Sequence, residues 1–478
     1  MEGYLKKEDR KKILLICDDI TMHSGISTMA REIVLGTAHK YNWVNIGGAI
    51  NHPQKGNRID LSQDSNKITG LEDTSIIMYP MDGYGNQFVL RQIMEIEKPD
   101  ALMLFTDPRY FIWVFQMENE IRKNIPIIYL NIWDDLPAPL YNKPFYESCD
   151  TLLAISKQTE NINKVVLGDK AKDKIIKYVP HGINEKEFFP ITPEYSEYKE
   201  FLSFKKDLLK DDYEFVVFFN ARNIRRKNPG DVILSYVEFI KKLPKDKAKK
   251  CALLMHTDPI DDNGTDLLAV KELLETEETN VIFTNKKYEP KYINWLYNCA
   301  DVTMLISSNE GWGLSLTESM MAGRVILGNV TGGMQDQMRF EDENGEWIKF
   351  TDVFLSNHFG TYKKHGKWAF PVFPTNMSLV GSVPTPYIFD DRCDFRDIAN
   401  KLNDIYNIPK EELKALGLEG RKWITGNESM MSAKNMCKNV IEGIEETFIK
   451  FVPSKNNFTL TKIEDKPKNK IKHPVIYE

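Results

Sequence analysis

Close cysteine pairs are missing from this chain. Its six cysteines, Cys17, Cys149, Cys251, Cys299, Cys393 and Cys437, lie far apart and mostly inside apolar segments. That scatter excludes the paired spacings of zinc sites and small disulfide scaffolds, and predicts reduced structural thiols. Long apolar runs are missing too: no stretch approaches the ~20 residues of a membrane span. The polar start MEGYLKKEDRKK lacks the apolar core of a secretory signal, so the expectation is a cytoplasmic protein. A one-sided charge is also absent. The 63 basic and 69 acidic residues leave a formal charge of −6, which supplies no global attraction to nucleic acid or anionic lipid.

What is there is ordinary globular composition, 42% apolar and 28% charged, over 478 residues. That length exceeds one comfortable core and predicts two α/β-sized domains. Short β-prone runs at Ile13 to Cys17, Ser75 to Met78, Ala101 to Phe105, Ile127 to Leu130 and Thr151 to Ile155 alternate with helical patterns. Such alternation implies a parallel sheet covered on both faces. The pattern stops after Pro180-His181-Gly182-Ile183, and a linker is expected in the polar stretch through Pro190 and Pro193 to the charged segment Lys205 to Asp212. A second series begins at Phe215 to Phe219 and continues through Cys251 to Met255, Val281 to Thr284, Val302 to Ile306 and Val325 to Leu327. The boundaries read from these signals are 1–200 for the first domain and 206–429 for the second. An aromatic and proline-rich insertion at 340–394 is expected to be a packed excursion, because many aromatics argue against disorder. A helix at about 430–455 completes the first domain, and 456–478 is a polar, lysine-rich tail.

Two loops carry the chemistry. The run Val302 to Ile306 delivers Ser307-Ser308-Asn309-Glu310 to the carboxyl edge of a buried strand, where ligands of open α/β sheets bind. Gly311 and Gly313 permit close backbone approach, and the helix that follows offers unpaired N–H groups to a diphosphate. Glu310 and Glu318, one in the loop and one in the first helical turn, suit hydrogen bonding to sugar or ribose hydroxyls. The segment EGWGLSLTESMMAG resembles the E-x7-E signature of retaining GT-B glycosyltransferases, in particular the large family 4, glycosyl transferases group 1. That resemblance implies an α/β fold of GT-B architecture, two Rossmann-like domains with parallel sheets facing across a cleft. It places Glu310 near the donor sugar hydroxyls, Glu318 on the nucleotide ribose, and the backbone of Gly311, Trp312, Gly313 and Leu314 against donor sugar and phosphates. Trp312 stands where phenylalanine is commoner.

The second loop, Asn220-Ala221-Arg222-Asn223-Ile224-Arg225-Arg226-Lys227-Asn228-Pro229, directly follows a strand. It resembles the family segment in which an arginine and, five residues on, a lysine neutralise the donor diphosphate, which fits Arg222 and Lys227. Charge building on a departing diphosphate calls for such cations. Arg225 and Arg226 are then spare or structural. Gly332-Gly333 resembles the family's turn near the donor. Pro180-His181-Gly182-Ile183-Asn184 resembles the segment closing the first domain, with His181 either a cleft residue or a linker cap. The loop His23-Ser24-Gly25-Ile26-Ser27 sits where the family has a glycine-rich loop over the donor phosphates, which brings in Gly25 and Ser24. Asp107, after the strand ending at Phe105, either aligns the acceptor hydroxyl or relays its proton, or simply stabilises a proline turn. Tyr110, Trp133, Asp134 and Asp135 are candidates for the same acceptor cleft.

The resemblance further implies a retaining transfer in which the departing diphosphate helps remove the acceptor proton. No Asp-x-Asp, the metal-holding motif of the other major glycosyltransferase fold, occurs in the chain. No metal site and no required cofactor are therefore expected, only a nucleotide-sugar co-substrate, with UDP-sugar as the commonest kind. The segment SLVGSVPTPYIFDDRC is similar to a phage and bacterial subgroup, which would place the protein in a bacterial or virus-infected host cell. The acceptor stays open between a glycan, a lipid-linked sugar and a modified DNA base. A GT-B epimerase or hydrolase of sugar nucleotides, and a catalytically silent binding protein, are the competing readings.

Overall fold

A computed structural model describes residues 3–48, 51–351 and 354–454; the polar tail expected at 456–478 lies outside them. The first sheet contains β1 (Lys11–Asp18), β2 (Tyr41–Gly48), β3 (Ile59–Asp60), β4 (Ile76–Pro80), β5 (Ala101–Phe105), β6 (Ile127–Asn131), β7 (Thr151–Ala154) and β8 (Ile175–Tyr178). Their order is β3-β4-β2-β1-β5-β6-β7-β8, parallel except for the antiparallel β3. The second sheet contains β9 (Phe215–Asn220), β10 (Cys251–His256), β11 (Val281–Thr284), β12 (Val302–Leu305), β13 (Val325–Asn329) and β14 (Ala369–Val372). Its order is β11-β10-β9-β12-β13-β14, parallel throughout. The apolar runs of these strands are buried on both faces, as helix-covered parallel sheets require.

Each sheet reverses its winding once. The first does so between β1 and β5 and the second between β9 and β12. Loops leaving adjacent strands diverge at such a point and leave a crevice. The segments singled out in the sequence follow these four strands: Ser24 and Gly25 after β1, Asp107 after β5, Arg222 to Lys227 after β9, and Ser307 to Gly313 after β12.

Sequence periodicity passes over β2, because Asn42, Asn45, Gly47 and Gly48 interrupt its apolar character. All eight of its residues are nevertheless buried, and the Asn45 amide is satisfied by Leu15 O at 3.2 Å. The charged segment expected as linker is in part a helix, Tyr198–Leu209, because Phe201 and Leu209 recur at helical spacing and are buried. The helix Ala433–Lys450 returns to the first sheet. Thr447 and Thr151 hydroxyls meet at 2.6 Å, and Tyr41 donates to Glu445 at 2.6 Å. Gly36 permits that approach, since a Cβ there would collide with Cys437 Sγ.

The insertion proves more regular than its sequence suggests. It supplies β14, and then an antiparallel hairpin of β15 (Asn376–Ser382) and β16 (Thr385–Arg392) that belongs to neither large sheet. The hairpin reaches across to the first domain, where Phe389 N donates to Leu136 O at 2.6 Å and Tyr141 Oη donates to Tyr387 O at 3.0 Å. A second bridge between the halves is Asp336. Its Oδ2 accepts from Lys157 N, at the start of the helix Lys157–Leu167, and from Tyr178 Oη, each at 2.9 Å. All six cysteines are free thiols, five of them buried. Among the described residues no helix is long and apolar enough to cross a membrane.

Candidate active site

The two switch points open into one cavity of about 1060 Å³. That is just above the usual range for ligand pockets, about 300–1,000 Å³. Its floor is the loop after β12. Gly313, at φ +86°, turns the chain into the helix Leu314–Met321. The N–H groups of that first turn open onto the cavity with the positive end of the helix dipole. Trp312 is buried against His181 at 6.1 Å between ring centroids, and its Nε1 donates to Thr317 Oγ1 at 2.9 Å. Gly311, Trp312, Gly313 and Leu314 all line the cavity.

Gly332 and Gly333 act from beneath. They are not in the cavity wall but pack against the main chain of Glu310 and Gly311, and Gly333 N donates to Glu310 O at 3.0 Å. A Cβ on Gly332 would strike Glu310 O, and one on Gly333 would strike Gly311 O. Their part is to hold the glutamate loop in place.

The cations come from the loop after β9, which Ser308 N ties to Arg226 O at 2.8 Å. Lys227 Nζ contacts Glu310 Oε2, and Arg226 Nη1 donates to the same oxygen at 3.2 Å and to Asn309 O at 2.9 Å. Burial by itself would raise the Glu310 pKa, but Lys227 and Arg226 outweigh it and hold the carboxyl at about 2. The same burial lowers the Lys227 pKa in spite of Glu310. Arg222 lines the same cavity but makes no hydrogen bond or ion pair with Glu310. Its side chain is 65% exposed and paired with Asp261 at 2.8 Å, at the cavity rim. Arg226, set aside as spare by the five-residue spacing, is the arginine that reaches Glu310. Its sequence carries no separate signal, because Arg225 and Arg226 are adjacent and only the short 3₁₀ turn Arg225–Lys227 decides which one points inward.

Glu318 lies along the same wall. Tyr297 Oη donates to its Oε2 at 2.5 Å and receives a hydrogen bond from Asn220 Nδ2 at 2.9 Å. Burial pushes Glu318 up to about 7, against the Tyr297 hydrogen bond and with help from the nearby Glu187 charge. Tyr288, Pro290 and Ile293 add apolar surface to the cavity lining.

The first domain faces this floor. Ser24 caps the helix Gly25–Thr37, accepting from Ser27 N at 3.0 Å and donating to Asp18 at 2.6 Å. A Cβ on Gly25 would lie 3.1 Å from Leu314 Cδ1, so glycine there lets the N-termini of the two helices converge. His181 is 5% exposed, lines the cavity, and has an Nδ1 with no hydrogen-bond partner. Burial lowers its pKa to about 3, so it is a neutral imidazole. Asp107 is already engaged: it caps the turn Pro108–Phe111 through Arg109 N at 2.9 Å and pairs with the Arg109 guanidinium. Arg109 also reaches Thr385 of the hairpin. Tyr110 is not in the cavity wall; it is 56% exposed and rests on Tyr84 with ring centroids 5.0 Å apart.

Trp133, Asp134 and Asp135 do line the cavity. Burial raises the Asp134 pKa to about 7, with Arg226 pulling down and Glu310 pushing up. Burial and the neighbouring Asp134 charge raise Asp135 well above the usual carboxylate range. Asp134 Oδ2 lies 3.3 Å from where a Gly332 Cβ would sit, so it faces the Gly332 turn that supports the glutamate loop.

Residues 200–354 match the family model described as glycosyl transferases group 1. That span holds the Arg226 loop, Glu310 and Glu318, and it confirms the resemblance read from those motifs. No curated protein sequence matches the chain. Among solved structures, the chain is similar to Anabaena HepE, crystallised with UDP and glucose, at TM-score 0.62 and 11% identity over 91% of this chain and 100% of that one. It is similar to the sucrose-phosphate synthase of Thermosynechococcus elongatus at TM-score 0.65 and 14% identity, over 92% and 100%. A UDP-forming α,α-trehalose-phosphate synthase of Burkholderia xenovorans, in complex with glucose-6-phosphate, gives TM-score 0.59 and 10% identity over 91% and 100%. The architecture is therefore GT-B, two Rossmann-like domains facing across a cleft.

Proposed function

We propose that this chain transfers a sugar from a nucleoside diphosphate, of which UDP is the first choice, to an acceptor hydroxyl with retention of anomeric configuration. The observation that carries this reading is the convergence of Glu310, Lys227 and Arg226 at the N-terminus of the helix Leu314–Met321. Glu318 lies one helical turn further along. The diphosphate docks on the exposed N–H groups of that helix and on Arg226 and Lys227. Glu318 accepts the ribose hydroxyls, and Glu310 turns to the donor sugar. As the anomeric C–O bond breaks, negative charge grows on the diphosphate where two cations and a helix dipole already stand, and such preorganised charge speeds bond breaking.

Those groups do the work that a divalent metal does elsewhere, so we propose metal-independent transfer without a dedicated cofactor. UDP-glucose and other sugar nucleotides are offered with a panel of acceptors, and products are read by mass spectrometry with and without EDTA. Transfer should persist in chelator. Strict manganese dependence overturns the metal-free reading, and wild-type turnover in Glu318→Ala and Lys227→Ala variants overturns the site.

One observation favours a second reading. Asp134 and Asp135 place acid/base groups in the interdomain cleft, which an epimerase or hydrolase of sugar nucleotides would use. Accumulation of free sugar or of an epimerised donor, undiminished by any acceptor, would select it.

A further inference from the structure

The β15–β16 hairpin is held unequally at its two ends. Its root is fixed in the second half. Asp391, fully buried there, accepts from Thr331 Oγ1 at 2.7 Å and from Asn357 Nδ2 at 2.9 Å. Its main-chain N–H donates to Ser308 O at 2.9 Å and its C=O accepts from Asn329 Nδ2 at 2.8 Å. Asp390 beside it accepts from Asn309 Nδ2 at 2.9 Å. The root is therefore joined to the loop that carries Glu310.

The far part of the hairpin crosses to the first domain and is held there by fewer contacts. Phe389 N donates to Leu136 O at 2.6 Å, Tyr141 Oη to Tyr387 O at 3.0 Å, and Tyr387 Oη to Ala138 O at 3.2 Å. The Tyr141 and Tyr387 rings meet edge to face with centroids 5.0 Å apart. Arg109, aimed by its ion pair with Asp107, reaches Thr385 Oγ1. None of these four bonds joins two charges, and bonds of this kind are individually weak, whereas stripping a buried polar group of all its partners is costly. The hairpin therefore stays with the second half, and its first-domain side is where it lets go.

Resting on the transfer reading above, we infer that the hairpin is a releasable latch between the two halves, with Arg109, Tyr141 and Tyr387 as positioning residues. Latched, it sets the spacing between the Glu310 loop and the loop after β6; released, it lets the cleft open for exchange of substrates. Leu136, Ala138 and Tyr141 directly follow Trp133, Asp134 and Asp135 in the chain, so the latch grips the same loop that lines the cavity. Val380, Ser382, Thr385 and Ile388 of the hairpin line that cavity too, while Tyr141 and Tyr387 do not. The two tyrosines act on the cavity only through the latch. A misplacement of ~1 Å between groups that must act together can cost about 100-fold in rate, and opening and closing of such elements gates turnover in many enzymes. Donor binding is separate. The groups that the transfer reading gives to UDP, namely Arg226, Lys227, Glu318 and the start of the helix Leu314–Met321, all lie in the second half.

The test uses the full chain, with UDP as binding probe and UDP-glucose as donor, turnover being read as UDP release. The double variant Tyr141→Phe/Tyr387→Phe keeps both rings and removes two of the bonds between the halves. Hydrogen exchange resolved to single amides reads the latch at Phe389 and the root at Asp391. In wild type without UDP the Phe389 amide should be protected, but about 10-fold or more less than the Asp391 amide, since the latch opens without the root. In the double variant the Phe389 amide should exchange about 10-fold faster, the effect of two such bonds, with the Asp391 amide within about 2-fold. UDP affinity by calorimetry should stay within about 2-fold of wild type while kcat falls about 10-fold. Thr385→Val should act in the same direction, and Thr385→Ser, which keeps the hydroxyl that faces Arg109, should restore wild-type values. A wild-type Phe389 amide as fast as a free one overturns the latch, and one as protected as Asp391 overturns its release. An unchanged Phe389 amide in the double variant overturns the part of the two tyrosines, and a released one with kcat within about 2-fold of wild type overturns the positioning role. Failure of wild type to bind UDP, or to release it from UDP-glucose, overturns instead the transfer reading, on which the exchange data do not depend.

Discussion

Replacing Glu310 by glutamine should make the protein less stable, less active, and a better binder of UDP. The substitution keeps the shape of the side chain and removes its charge. In the free protein that charge is the shared counter-ion of Lys227 and Arg226, at a site where the Glu310 side chain is 9% exposed. Its pKa is drawn from 4.5 to about 2. At 1.36 kcal/mol per unit, that corresponds to ~3 kcal/mol of preference for the charged form in the folded protein. The depression is of the acid kind, so this contribution is complete above the ordinary carboxyl pKa and is lost only as pH falls through about 2. At pH 7 the wild type has all of it and the variant none. The mostly buried Lys227 and the partly exposed Arg226 are left without their anion, a loss of about 3 kcal/mol, visible as a lower Tm. The same vacancy favours a diphosphate, which in the wild type must displace Glu310 from Lys227. If a third to a half of the lost pairing is recovered, about 1–1.5 kcal/mol, UDP binds ~5- to 12-fold more tightly. Turnover of a sugar nucleotide should fall by about 100-fold, since the sugar contact disappears. Titration calorimetry with UDP and a thermal melt with and without UDP read the opposed effects. A variant with unchanged Tm and equal or weaker UDP affinity would show that Glu310 does not restrain the cations in solution, and the diphosphate site would have to be sought elsewhere.

Other substitutions separate the parts of the site. Tyr297→Phe removes the 2.5 Å hydrogen bond to Glu318, which opposes the rise of its pKa, so donor KM should increase about 10-fold at pH 7 with little change in kcat. On the proposal that Glu318 binds ribose as the anion, and with its pKa raised to about 7, wild-type UDP affinity should weaken as pH falls from 8 to 6; a flat profile would remove Glu318 from ribose binding. Arg226→Ala should lower kcat by about 100-fold and Arg222→Ala by less than about 5-fold, measured as UDP release, since Arg222 is exposed and satisfied by Asp261; the reverse order would restore Arg222 as the diphosphate ligand. Gly333→Ala should displace the Glu310 loop through its collision with Gly311 O, with loss of most activity and a circular dichroism spectrum like that of wild type.

The architecture was legible because its signals are local. Apolar runs ended by turn residues marked five of the strands in each half, and the loops after β1, β5, β9 and β12 could be named before the sheets were seen. The misses have equally local causes. β2 carries two buried asparagines whose hydrogen bonds are tertiary, so nothing in its own eight residues marks it as core. In the insertion, β14 is too short to show a period. β16 has one face toward the cavity and the first domain, so its pattern of burial is irregular.

The site was legible only as far as side chains act within their own loop. Glu310, Glu318 and Lys227 lie in segments whose order along the chain fixes their place. Which arginine pairs with Glu310 is decided 84 residues away, and the five-residue spacing selects Arg222 where the fold turns Arg226 inward. The cavity wall made by the loop after β6 and the β15–β16 hairpin is further from reach still, because it is made by contact between domains. The hairpin is chemically part of the second half, being anchored there by Asn309 to Asp390 at 2.9 Å and by Thr331 to Asp391 at 2.7 Å. Yet its outer strand hydrogen-bonds to the loop that carries Asp134. A motion that opened the cleft would break Phe389 from Leu136 and Tyr387 from Tyr141. The segment with no readable period is therefore the one that couples the two faces of the cavity.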